Sequence, residues 1–159
     1  MIGFALIDGT PKSAGDDNTT EWVWYRRDDA DGFNQYYTSG LVNNPQEVIQ
    51  VFSEWMFADK SEENIDWAVD IANQTSATTG ALLNATGAYI DYTADLASLE
   101  GAFPLLYVVQ EGWGPVVQSW ADDNTPSAQV LTILGSHIGF WEQPQEFNAA
   151  LTDFLETVE

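Results

Sequence analysis

The 159-residue chain contains no cysteine, a single histidine and only four basic residues, Lys12, Arg26, Arg27 and Lys60. Without cysteine there are no disulfides, no thiolate metal sites and no thiol nucleophile. With one histidine, the remaining metal-ligating groups are scattered carboxylates, which suit calcium or magnesium at best. No metal and no cofactor is therefore expected. The few basic residues face 25 acidic ones, for a net charge of −21. That charge repels phosphate backbones and anionic lipid, so neither nucleic acid nor a membrane is expected as a partner. No apolar run approaches the roughly 18 residues of a membrane span, and no basic segment opens the N-terminus. The expectation is a soluble, cytoplasmic protein.

Hydrophobic residues make up 45% of the chain, enough for one domain with a real core rather than a disordered acidic segment. The acids are spread along the chain as Asp16-Asp17, Asp28-Asp29-Asp31, Glu62-Glu63-Asp66-Asp70, Asp91-Asp95 and Asp122-Asp123. Dispersed acid with almost no lysine is the surface of a protein adapted to high salt, where screening within about 3 Å removes self-repulsion.

Apolar Ile2–Ile7, closed by Asp8-Gly9-Thr10-Pro11, reads as a buried parallel strand ending in a turn. Residues 13–100 read as helical throughout, with no strand. Helices are predicted over Asp17–Arg27, over Phe33–Ser39 ended by Gly40, from Pro45, from an N-cap at Ser61, over Thr78–Ile90 and over Tyr92–Leu99. Leu105–Val109 and Ala128–Leu134 return to strand composition, with a short helix over Gly114–Ala121 between them. A last helix follows Pro144. Strand, helix, strand, helix at this spacing implies right-handed crossovers and a three-stranded parallel sheet of α/β class. His137 lies in the loop between the last strand and the last helix, where an imidazole can act as a base. Aromatic residues crowd the helical segment, either as its core or as the lining of an apolar pocket.

The segments IGFALIDGTP, PLLYVVQEGW and AQVLTILGSHIGFWEQPQEFNAALTDFL resemble the last three strand units of the α/β-hydrolase superfamily. In that family a helical cap follows the sixth strand, and the eighth strand leads to a catalytic histidine and a closing helix. The resemblance implies a partial α/β-hydrolase core over residues 1–12 and 101–159, with a cap insertion over 13–100. It implies that His137 is the general base and that Asp8 is its acid, with Glu111 as the alternative. It also places Trp22, Tyr25, Tyr36, Phe52, Trp55, Trp113, Phe140 and Trp141 around a small apolar ester or acyl ligand.

The nucleophile is absent: no Gly-x-Ser-x-Gly elbow occurs, and none of the nine serines stands in such a context. A base and an acid without a nucleophile cannot run an acyl-enzyme mechanism, so the chain alone is expected to have weak or no hydrolase activity. An unpaired first strand is a template for pairing. Its edge, with Ile2, Phe4 and Leu6, is expected to meet a second copy in a homodimer or a complementary N-terminal hydrolase half. A non-enzymatic module that dimerises or binds a small apolar ligand is the alternative function.

Overall fold

The computed structural model describes residues 2–158. Its centre is a three-stranded parallel sheet in the order β1-β4-β5, from Phe4–Ile7, Leu105–Gln110 and Gln129–Ile133. Phe4 pairs with Leu105 and Leu106 with Gln129, so β4 is the middle strand. Leu105–Val109 are all buried, as a continuous apolar run covered on both faces must be. Their side chains alternate. Leu105, Tyr107 and Val109 pack with Val117 and Ala121 of α6 (Gly114–Asn124). Leu106 and Val108 pack with Phe154 of α7 (Pro144–Glu156) and with Val158. At roughly 25 cal/mol per Å2 of apolar area removed from water, this two-sided burial is the main source of stability.

The Tyr107 hydroxyl donates to Thr125 Oγ1 at 3.0 Å, and both residues are fully buried. That bond satisfies two polar groups at the base of the sheet that would otherwise be costly to bury.

The segment between β1 and β4 is not wholly helical. Lys12–Gly15 (β2) and Val23–Arg26 (β3) form a separate two-stranded parallel ribbon. The helix expected over Asp17–Arg27 is thus replaced by a loop and a strand. The reason is local: Val23-Trp24-Tyr25 is a β-branched and aromatic run that favours extended backbone. In the loop before it, the Glu21 carboxylate accepts from the Asp16 and Asp17 amides and pairs with Lys12.

Helix α1 then runs from Arg27 to Asn43, through the Gly40 expected to end it. A Cβ at Gly40 would collide with Val48 of α2 (Pro45–Met56), so this glycine permits close helix contact and does not terminate α1. Helices α3 (Glu62–Ala72), α4 (Ala77–Gly87) and α5 (Thr93–Ala97) complete the segment. The N-cap of α4 is Ser76, whose hydroxyl accepts from the Thr79 amide at 3.2 Å. Ser61 makes no such side-chain cap on α3.

Candidate active site

Asp8 stands one residue beyond β1, and its amide donates to the Val108 carbonyl at 2.7 Å, extending the ladder by one bond. Its φ of 48° is left-handed, a conformation that aspartate and asparagine tolerate better than other side-chain-bearing residues. This turn aims the carboxylate across the end of β4 toward the loop after β5. There Asp8 Oδ2 lies 2.7 Å from His137 Nδ1, with the two side chains only 14% and 5% exposed. Burial pushes the Asp8 carboxyl up from its usual value of 3.8, while the hydrogen bond and charge of His137 pull it partly back. With Asp8 ionised, Nδ1–H is the donor, and the lone pair of Nε2 is left to accept a proton. Among the described residues Nε2 has no hydrogen-bond partner. The second carboxylate oxygen, Asp8 Oδ1, is buried and likewise unpartnered.

The imidazole sits among three indoles, with Trp55, Trp24 and Trp113 centred 4.0, 5.3 and 6.2 Å from it. The histidine loop is tied to the end of α2. The His137 amide donates to the Met56 carbonyl at 3.0 Å, and the Ser136 hydroxyl to the Trp55 carbonyl at 3.4 Å. Glu142 closes the clasp, because one carboxylate accepts from Ala58 N at 3.0 Å, Asp59 N at 2.8 Å and Ser136 N at 3.1 Å. Gly135, at φ 123°, passes so close that a Cβ would stand 2.9 Å from Glu142 Oε2.

Of the two candidate acids, Asp8 is the one bonded to the imidazole. Glu111 is exposed on a 3-10 turn over Glu111–Trp113 and makes no hydrogen bond to His137. The eight aromatic candidates do not form one pocket. Trp55 and Trp113 flank the imidazole, and Phe140 borders a crevice of about 10 Å3 beside Asp8 and His137, room for no more than a water. Tyr25 and Phe52 line a separate cavity within the helical segment. Tyr36 is exposed, against Tyr37. Trp141 stacks on Trp67 at 4.3 Å and donates to Asn64 Oδ1 at 2.9 Å, so it ties the histidine loop to α3. Trp22 is the departure: 2% exposed and edge-on to Tyr107 and Trp120, it is a core residue of the sheet.

Sequence reasoning missed Trp24 and Glu142 as site residues. The alternation of Trp24 with Tyr25 on a strand was the available signal for the first. Little local marks Glu142, two of whose three amide partners lie 83 and 84 residues away. Among the described residues no group of three or more acidic or histidine side chains could hold a metal ion. Among the described residues no helix is long and apolar enough to cross a membrane.

No protein-family model matches the chain, and no curated protein is significantly similar to it in sequence. Solved structures are similar in fold. A bromoperoxidase from Bacillus anthracis aligns with 92% of this chain and 54% of its own length, at 22% identity and a TM-score of 0.72. A hydrolase from Oleispira antarctica aligns with 97% and 56%, at 15% identity and a TM-score of 0.74. An esterase from Exiguobacterium antarcticum aligns with 92% and 53%, at 14% identity and a TM-score of 0.70. The chain thus spans about half the length of each. Parallel sheet, helices on both faces and a helical segment after the first strand agree with that likeness: the chain has the α/β-hydrolase fold, in partial form.

Proposed function

We propose that this chain carries the acid–base half of a hydrolase site for small apolar esters, completed by polypeptide that supplies the nucleophile and the oxyanion donors. The observation that carries the reading is the shielded 2.7 Å bond between Asp8 and His137, with Nε2 left unpartnered. In that reading Nε2 takes the proton of an incoming hydroxyl as its oxygen attacks the ester carbonyl. Asp8 stabilises the imidazolium, and the proton then passes to the leaving alkoxide as the C–O bond breaks. Ser136 is a poor internal nucleophile, because its hydroxyl is turned to the Trp55 carbonyl. Residual general-base activation of water by His137 is the most the isolated chain contributes.

The free edge of β1 is the docking line for the completing half. It lies at the end of the sheet order, with Ile2 73% and Phe4 37% exposed and Leu6 half-buried. The half-length alignments favour a complementary hydrolase half over a second copy as its occupant. The dispersed acid favours work in a high-salt cytoplasm.

The test compares the isolated chain with the chain co-expressed with a polypeptide that carries a Gly-x-Ser-x-Gly hydrolase half, in molar salt. Expected are no fluorophosphonate label on the isolated chain, and a labelled serine on the completing polypeptide that loses its label with His137→Ala. Nitrophenyl acetate hydrolysis should follow the same pattern. His137-dependent hydrolysis by the isolated chain as fast as that of the completed pair would overturn the reading. So would a stable homodimer by light scattering that excludes the second polypeptide, since it would favour the dimerising module.

A further inference from the structure

The helical segment contains a cavity of about 300 Å3, separate from the dyad, lined by β3, α1, α2, the end of α3 and α4. It exists because small residues stand where large ones would fill it. Ala72, Ala77 and Gly80 contribute almost no side chain, and a Cβ added at Gly80 would meet only Leu41 Cδ1, at 3.6 Å. Leu41, Val48, Ile49 and Phe52 form the apolar wall. In a chain of net charge −21, no lining residue is charged.

The polar groups in the lining are few and neutral. Asn84 Nδ2 donates to Asn34 Oδ1 at 3.1 Å and Thr38 Oγ1 at 3.0 Å, which fixes the amide and leaves its oxygen without a partner among the described residues. The Tyr25 and Tyr37 hydroxyls make no hydrogen bond among the described residues, and burial raises both above the usual phenol value, so they remain donors. Phe52, Thr75 and Ser76 are exposed as well as lining, so the cavity is reachable from solvent.

We propose that this cavity is a binding site for a neutral, mainly apolar small molecule carrying one hydrogen-bonding group, such as a ketone, an ester or an alcohol. A cavity of about 150 Å3 holds benzene, so this one takes about twelve or thirteen non-hydrogen atoms. A carboxylate is disfavoured, because no cation lines the cavity and the surrounding field is negative. The site does not depend on the hydrolytic reading. Its wall residue Phe52 has its ring 5.7 Å from that of Trp55, which flanks His137.

Two probes of nearly equal size decide the matter: 2-acetylnaphthalene, neutral with one acceptor, and 2-naphthoate, its anionic counterpart. Titration of the whole chain, followed by NMR, should show saturable binding of the ketone at about 0.1 mM or tighter. Naphthoate should bind at least tenfold more weakly. Gly80→Leu and Ala72→Leu fill the cavity from different helices, and whichever of them keeps the native circular dichroism should weaken the ketone at least tenfold. Gly80→Ala is the folded control, with a smaller loss. His137→Ala should bind the ketone as the wild type does, whatever becomes of hydrolysis. Absent saturation, equal binding of the two probes, or full affinity in a folded filled variant would overturn the assignment.

Discussion

Replacing Asp8 with asparagine and His137 with leucine, singly and together, measures the energy with which this chain holds its candidate base. Asparagine is the right replacement because Asp8 has φ 48°. Alanine would add a left-handed backbone penalty of about 1–2 kcal/mol unrelated to the pair. Leucine occupies a volume close to that of the imidazole among Trp24, Trp55 and Trp113 but offers no donor. Any packing defect it introduces cancels in the cycle. At 2.7 Å, with side chains 14% and 5% exposed, the bond is charge-assisted and poorly screened; asparagine can still accept from Nδ1–H, so the coupling reads the excess of the charged bond over a neutral one and should be about 1–2 kcal/mol. Urea unfolding at neutral pH reads it directly. Because water and ions reach neither partner freely, most of that coupling should survive molar salt. The exposed Arg27–Asp16 pair, with side chains 66% and 83% exposed, should show none there.

The pH dependence has a definite sign. Asp8 titrates above 3.8 because burial outweighs the bond and charge of His137. The folded state therefore holds this proton more tightly than the unfolded state does. The contribution of Asp8 to stability is greatest below 3.8 and is lost as pH rises through its raised folded value. His137→Leu removes both influences that lower the carboxyl, so that window should extend to higher pH. A coupling below about 0.5 kcal/mol in the cycle would refute the argument that the dyad is a preorganised, desolvated pair.

Tyr107→Phe removes the donor to Thr125 while leaving the ring in place, and urea unfolding should register a loss of about 1–2 kcal/mol. Glu142→Ala frees three backbone amides at once, so hydrogen exchange at Ala58, Asp59 and Ser136 should accelerate at least tenfold, with Glu142→Gln intermediate. Gly135→Ala should cost about 1–3 kcal/mol through its positive φ. Adding Glu142→Ala should relieve only the contact with the carboxylate, and thermal unfolding separates the two parts. With a net charge of −21, the melting temperature should rise steadily as potassium chloride approaches molar concentration, and a flat response would argue against a high-salt adaptation.

The parallel sheet and the position of His137 after its last strand were legible in the sequence because they depend on short-range pattern. Leu105–Val109 is an apolar run that only a strand covered on both faces explains, and Gly135-Ser136 marks where such a strand must stop. The same reasoning failed at Trp22–Arg26, where aromatic residues suit a helix face or a strand equally well. Pairing with Lys12–Gly15 decided for the strand. It failed again at Gly40, whose small size serves the approach of Val48 rather than a helix end.

Sequence by itself determined the chemistry available to this protein: one imidazole, abundant carboxylate, no thiol and no Gly-x-Ser-x-Gly elbow. The choice between Asp8 and Glu111 was beyond it, because both stand just past the end of a parallel strand. The tertiary structure decided it by turning Asp8 into the left-handed region and toward an imidazole 129 residues away. The division of the aromatic residues was also tertiary, because burial and contact depend on how α1 to α4 pack. Three indoles surround His137, Trp22 lies in the core, and Tyr25 and Phe52 border a cavity of their own.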